Sequence, residues 1–135
     1  MQRYSRKRQS ILDCLLSTKE HPTAEWIYSQ IKPQYPSLSL ATVYRNLNML
    51  RDEGLIQSVG TVMGQERFDA DVSPHTHIVC IKCGRVADAF DVVLPKDVCS
   101  DAEKASGFRI LRAELRLSGI CSRCESGEAC QWTTQ

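Results

Sequence analysis

The chain has 135 residues, 17 Lys and Arg against 16 Asp and Glu, and a net charge of +1. That length holds one ordinary domain or two small ones, and small domains need a metal staple or a second copy to bury enough apolar surface. No apolar run approaches the ~20 residues that cross a bilayer, and no apolar signal core follows the basic amino terminus, so a cytoplasmic protein is expected.

The small net charge hides an asymmetry. Residues 1–68 carry nine Lys/Arg against six Asp/Glu, a balance of +3, and residues 69–135 carry eight against ten, a balance of −2. A front half that can approach an anionic polymer precedes a back half rich in carboxylates. Of the seven cysteines, four form two Cys-x-x-Cys pairs, and Cys14, Cys99 and Cys130 are scattered. In a reducing compartment such pairs read as metal ligands before disulfides.

In chain order, Ser5 caps a first helix with Ile11, Leu12, Leu15 and Leu16 at helical spacing. Arg3, Arg6, Lys7 and Arg8 cluster at its start, the wrong end for the helix dipole unless the cluster faces phosphate. His21-Pro22-Thr23 breaks the chain, Thr23 caps a second helix on Ala24, Ile27, Tyr28 and Ile31, and Lys32-Pro33 ends it. On its own a loop histidine such as His21 reads as solvated. Ser39 caps a third helix through Glu53, closed by Gly54. Leu40, Val43, Leu47 and Leu50 make its apolar stripe, while Thr42, Tyr44, Arg45, Asn48 and Arg51 project elsewhere. Hydroxyls, an aromatic ring, Arg and Asn are side chains that read base edges and phosphates. A hairpin follows, from Leu55–Val59 through a turn in residues 60–64 to Glu66–Asp69. Three helices and a hairpin make a winged helix-turn-helix.

The residues Arg3-x-Ser5-x-x-Arg8-x-x-Ile11-Leu12, His21-Pro22-Thr23-Ala24, Ser39-Leu40-Ala41-Thr42-Val43-Tyr44-Arg45-Asn46-Leu47, Gly54-Leu55-Ile56 and Arg67-Phe68-Asp69 together resemble the ferric uptake regulator family. The resemblance implies an α+β protein with an N-terminal winged helix-turn-helix (residues 1–69), a hinge (70–74) and a small α/β metal-binding dimerisation domain (75–135). It implies that the third helix enters a major groove, with Ser39, Thr42, Tyr44 and Arg45 at the DNA and Arg3 reaching a minor groove. Longer members carry a helix before this Arg, so any contact from such a helix is not expected here.

In the back half, His77–Cys80, Arg85–Phe90 and Phe108–Leu117 read as strands, and Asp97–Ser106 as a helix closed by Gly107. Cys80-x-x-Cys83-Gly84 and Cys121-x-x-Cys124 can each bind one side of a tetrahedral ion, and Gly84 permits the tight knuckle. Structural Zn(II) is the reading. Thioredoxin-like chemistry belongs near a βαβ pattern, and a zinc deaminase needs His-x-Glu with Pro-Cys-x-x-Cys, where this chain has His75-Thr76-His77. No enzyme is expected.

A second, nitrogen-and-oxygen site is implied by the resemblance. His21, Asp69, His75, His77 and Asp88 match the regulatory ligands of the family's peroxide-responsive repressors, and such donors suit Fe(II) or Mn(II). Spacing alone brings neither His21 nor Asp88 to the site. Iron-sensing members more often carry Glu at positions 69 and 88 and a longer histidine run. The resemblance therefore implies a homodimeric repressor on a palindromic DNA operator, with no membrane partner, in which Fe(II) and peroxide oxidise His21 and His75. An iron or zinc uptake regulator of the same family is the alternative, and a zinc-bound interaction module without DNA binding is a third.

Overall fold

A computed structural model describes residues 5–128, so Arg3 and Cys130 lie outside the described residues. The chain divides between Val72 and Ser73 into two compact units.

The front unit begins with three helices: α1 (Arg6–Leu16), α2 (Ala24–Ile31) and α3 (Leu40–Asp52). Each starts at a hydroxyl. Ser5, Thr23 and Ser39 accept from the backbone N–H groups of Arg8, Trp26 and Thr42, satisfying donors that a helix start leaves unpaired. A short 3-10 turn, Lys32–Gln34, follows α2 where Pro33 forbids a longer helix. Gly54, at φ +78°, takes the left-handed turn after α3. Ile11, Ile27, Val43, Leu47, Leu50 and Phe68 are fully buried in one cluster, each contributing about 1.5–3 kcal/mol of burial.

Two expectations change in the helices. Leu16 points outward, 61% exposed. Arg8 does not face phosphate. It shares the inner face of α1 with Ile11 and Leu15, three and seven residues on, and is buried. Its Nε donates to Asn46 Oδ1 at 3.4 Å and its Nη1 lies 3.8 Å from Glu53, so it braces α1 against α3.

The wing pairs β1 (Gln57–Val62) with β2 (Gln65–Asp69), antiparallel. Its turn is tighter than residues 60–64. Met63 and Gly64 alone form it, at φ +52° and +83°, the two positive angles a two-residue hairpin turn demands. Gly60 lies within β1, beside a bulge between Ser58 and Gly60.

The back unit holds a three-stranded sheet in the order β4 (Val86–Ala89), β3 (Thr76–Cys80), β5 (Arg116–Gly119). β3 runs antiparallel to β4 and parallel to β5. The parallel pair needs a long crossover, which contains α4 (Val98–Ser106), closed by Gly107 at φ +75°. A short helix, α5 (Ser122–Glu125), follows β5. The expected strand over 108–117 forms only from Arg116 onward. Before Arg116 its alternating pattern pairs with no strand among the described residues beyond the bond from His77 N–H to Leu115 O at 3.4 Å, and Phe108 and Leu111 are 71% and 81% exposed. Among the described residues no helix is long and apolar enough to cross a membrane.

Candidate metal centres and recognition helix

The four paired cysteines meet at one end of the back unit's sheet. Cys80 is the last residue of β3. The chain then folds back, with Gly84 N–H donating to Cys80 O at 2.9 Å and Gly84 at φ +80°. β5 ends at Gly119, opposite Cys80 in register, and delivers Cys121 two residues later. The four Sγ atoms lie within 4.8 Å of one another. Cys80–Cys124 and Cys83–Cys121 are each 3.8 Å apart, far beyond the ~2.05 Å of a disulfide. A tetrahedron with ~2.3 Å metal–sulfur bonds has edges of about 3.8 Å, so the thiolate set fits Zn(II). Burial pushes the Cys80 thiol up. Backbone N–H groups of Cys121, Cys83 and Lys82, with the Cys83 side chain, outweigh that and bring it to about 6. The knuckle thus favours the ionised, ligating form before any metal arrives.

Imidazoles and carboxylates pair within each unit separately. In the front unit, His21 Nε2 is 3.2 Å from Asp69 Oδ2. His21 is only 2% exposed, contrary to the solvated reading of a lone loop histidine. Its φ is +55°, a left-handed conformation that costs a non-glycine residue about 1–2 kcal/mol. Such strain persists where surrounding structure holds it, commonly at functional sites. In the back unit, Asp88 Oδ1 lies 3.0 Å from His75 Nε2 and 3.5 Å from His77 Nε2. His77 and Asp88 are register partners across β3 and β4, so the sheet itself places that pair. His75 Nδ1 is 2.7 Å from Ser73 O, which leaves its Nε2 toward the carboxylate. The Phe90 ring packs against His75, its centroid 4.5 Å from that of the imidazole. Nitrogen and oxygen donors without a thiolate fit Fe(II) or Mn(II).

On α3, Ser39, Thr42 and Arg45 form a chain at the helix start. Ser39 Oγ lies 2.9 Å from Thr42 Oγ1, and Arg45 Nη2 donates to that oxygen at 3.4 Å. Arg45 and Asn48 are exposed. Tyr44 is half-buried, and its hydroxyl donates to Glu25 Oε1 at 2.9 Å. Gln65, at the start of β2, donates to the other oxygen of Glu25 at 3.0 Å. One carboxylate of α2 therefore ties α3 to the wing. Sequence reasoning passed over Glu25, because nothing local marks a helix carboxylate that bonds residues 19 and 40 positions away. Burial, then the Glu25 hydrogen bond and the charges of Glu25 and Glu66, raise the Tyr44 phenol above its ordinary 10.0.

A three-helix unit with a hairpin wing, joined to a sheet bearing a four-thiolate clamp and histidine–carboxylate groups, defines a metal-binding winged-helix regulator with a separate dimerisation domain. The profile of the ferric uptake regulator family matches residues 2–118, and the chain belongs to that family. Its regulators respond to metal and act as DNA-binding dimers. The peroxide-responsive repressor PerR of Staphylococcus epidermidis is 32% identical over 123 residues, covering 91% of this chain and 81% of that protein. PerR of Staphylococcus aureus is likewise 32% identical, over 91% and 82%. Among solved structures, the Campylobacter jejuni peroxide stress regulator is similar with a TM-score of 0.71 and 32% identity, covering 87% of this chain and 88% of that one. The Helicobacter pylori ferric uptake regulator shares the fold, with a TM-score of 0.74, 22% identity, and 94% and 85% covered.

Proposed function

We propose that this protein is a homodimeric repressor that senses peroxide through oxidation of its own ligand histidines. The observation that carries the reading is the donor set. Three imidazoles pair with two carboxylates at 3.0–3.5 Å, while the paired thiols stand apart in a cluster of their own. The likeness to peroxide-responsive repressors supports it.

In this reading residues 1–69 read DNA, 70–74 are a hinge, and 75–135 bind metal and dimerise. His21 and Asp69 from the front unit, with His75, His77 and Asp88 from the back, hold one Fe(II) or Mn(II). Cys80, Cys83, Cys121 and Cys124 hold Zn(II). Closing the regulatory ligands fixes the recognition helices of a dimer at a spacing that matches a palindromic operator, so metal binding and DNA binding are coupled free energies. Ser39, Thr42, Tyr44, Arg45 and Arg3 contact that operator. The exposed Phe108 and Leu111, on the stretch that finds no strand to pair with, support a second copy as their cover.

Fe(II) held by these residues would supply the redox chemistry that splits peroxide, one oxygen passing to a ligand imidazole and the other leaving as water. His21 and His75 are the side chains that take up an oxygen atom. An oxygenated imidazole is a poor donor, so the remaining ligands no longer hold the units closed and the operator is released. The zinc thiolates serve as a fastening, since Zn(II) has no redox chemistry.

The test is a gel shift on palindromic AT-rich duplexes with Mn(II), with Fe(II), and with Fe(II) plus low peroxide, followed by mass spectrometry. Binding with both metals is expected. Peroxide should abolish it only with Fe(II), with one added oxygen on the His21 or His75 peptides. Release that follows peroxide equally with Mn(II) overturns the oxidation mechanism. Binding that follows iron or zinc supply and ignores peroxide identifies an uptake regulator instead.

A further inference from the structure

Beyond the ligands themselves, the front unit contains a device that holds one of them. Arg67 lies on β2, two residues before Asp69, and is 4% exposed. Its Nη2 donates to Glu20 O at 2.8 Å, and its Nε donates to His21 O. One planar guanidinium therefore binds two successive carbonyls of the loop that carries His21. The same strand reinforces the hold, since Phe68 N–H donates to Pro22 O at 3.0 Å and Arg67 is bridged to Thr23. At the far end of this short span Thr23 caps α2. The residue so enclosed has φ +55°, and its imidazole faces Asp69 at 3.2 Å. Along a strand, residues i and i+2 share a face. Arg67 and Asp69 thus grip His21 from one face, by its backbone and by its ring.

We propose that Arg67 is the positioning residue for His21. Its fork keeps the left-handed turn closed, and the turn keeps the imidazole on Asp69. A lysine cannot substitute, because an ammonium is a point donor and lacks the planar fork that reaches two carbonyls. The consequence for metal binding rests on the reading of His21 as a ligand. Residues that orient metal ligands typically change metal affinity about 10- to 100-fold when replaced.

The test uses the full-length, zinc-loaded chain with Arg67→Lys and Arg67→Gln, and His21→Ala as control. Without regulatory metal, NMR should show the His21 ring contact with Asp69 in the wild type and its loss in both Arg67 variants. Exchange of the Phe68 amide should accelerate at least about tenfold. Mn(II) affinity should fall about 10- to 100-fold, with zinc content and helical signal retained. An unchanged ring contact and amide protection overturn the proposal. So does collapse of the helical signal in both variants, which marks Arg67 as a general fold residue. If His21→Ala binds Mn(II) as the wild type does, the ligand reading fails, while the metal-free NMR comparison still decides the role of Arg67.

Discussion

The two units solve the problem of burial in opposite ways. The front unit closes on itself: Ile11, Ile27, Val43, Leu47, Leu50 and Phe68 are fully excluded from water. Among the described residues of the back unit the buried apolar ones are Val79, Cys80, Cys83 and Val86, and two of those belong to the four-thiol cluster. Val93, Phe108 and Leu111 there are 66%, 71% and 81% exposed. A unit of this size with so small a core depends on cross-links or on association. The front unit is held by packing, whereas the back unit gathers four thiols and leaves large apolar side chains exposed.

The most forceful way to break that contrast is to remove the zinc. Structural zinc contributes on the order of 10 kcal/mol to small sites. Chelation, or Cys121→Ser, should expose back-unit amides to hydrogen exchange while front-unit amides stay protected; a uniform loss would show that the units do not differ in this way. Acid should act similarly. The Cys80 thiol lies at about 6, below its ordinary 9.0. A depressed value means the contribution is complete above the ordinary value and is lost as pH falls through the lower one. A bound ion keeps its thiolates ionised to lower pH than the metal-free site does, so zinc release followed by a chromogenic chelator should begin only below that value and accelerate as pH falls further.

Next in size, Phe68→Ala should destabilise the front unit by about 3–5 kcal/mol in chemical denaturation, without changing the zinc stoichiometry. Leu111→Asp is its counterpart in the back unit. It should leave the fold and the zinc intact but weaken dimerisation at least tenfold, or about 1.4 kcal/mol, in sedimentation equilibrium. A folding defect with unchanged dimerisation would reverse the contrast. The smallest effect belongs to Glu25→Ala, which frees both Tyr44 and Gln65. A loss of about 1 kcal/mol in front-unit stability is expected, along with a fall in the alkaline midpoint of the Tyr44 phenol, read by ultraviolet titration. An unchanged midpoint would remove Glu25 as the tie between α3 and the wing.

Much of the front unit was legible because its signals are local. A cap hydroxyl and the first turn it serves are three residues apart, and the apolar stripe of α3 repeats at helical spacing. The thiolate clamp was legible for the same reason, each half being a short motif. What resisted reading is long-range. His21 looked like a solvated loop residue because the groups that bury and hold it, Arg67 and Asp69, lie more than 40 positions away. Only the family resemblance raised it to a candidate ligand. Arg8 was read with its charged neighbours, although its spacing from Ile11 and Leu15 already put it on the inner face. Residues 112–117 alternate as a strand should, but pairing is a property of two segments, and among the described residues only Arg116 onward finds one. The turn was read too wide, as residues 60–64, because methionine rarely adopts the positive φ that Met63 takes in the two-residue turn.

β3 is five residues long and carries His77 near one end and Cys80 at the other, about 10 Å apart at ~3.3 Å per residue. If the two sites are assigned as proposed, they share a single rigid ruler. On that reading, zinc that anchors one end of the strand also steadies the histidine at the other, where the second ion would bind. A chain made during zinc scarcity would be deaf to peroxide however much iron surrounded it, and the history of one nutrient would be written into the hearing of another signal.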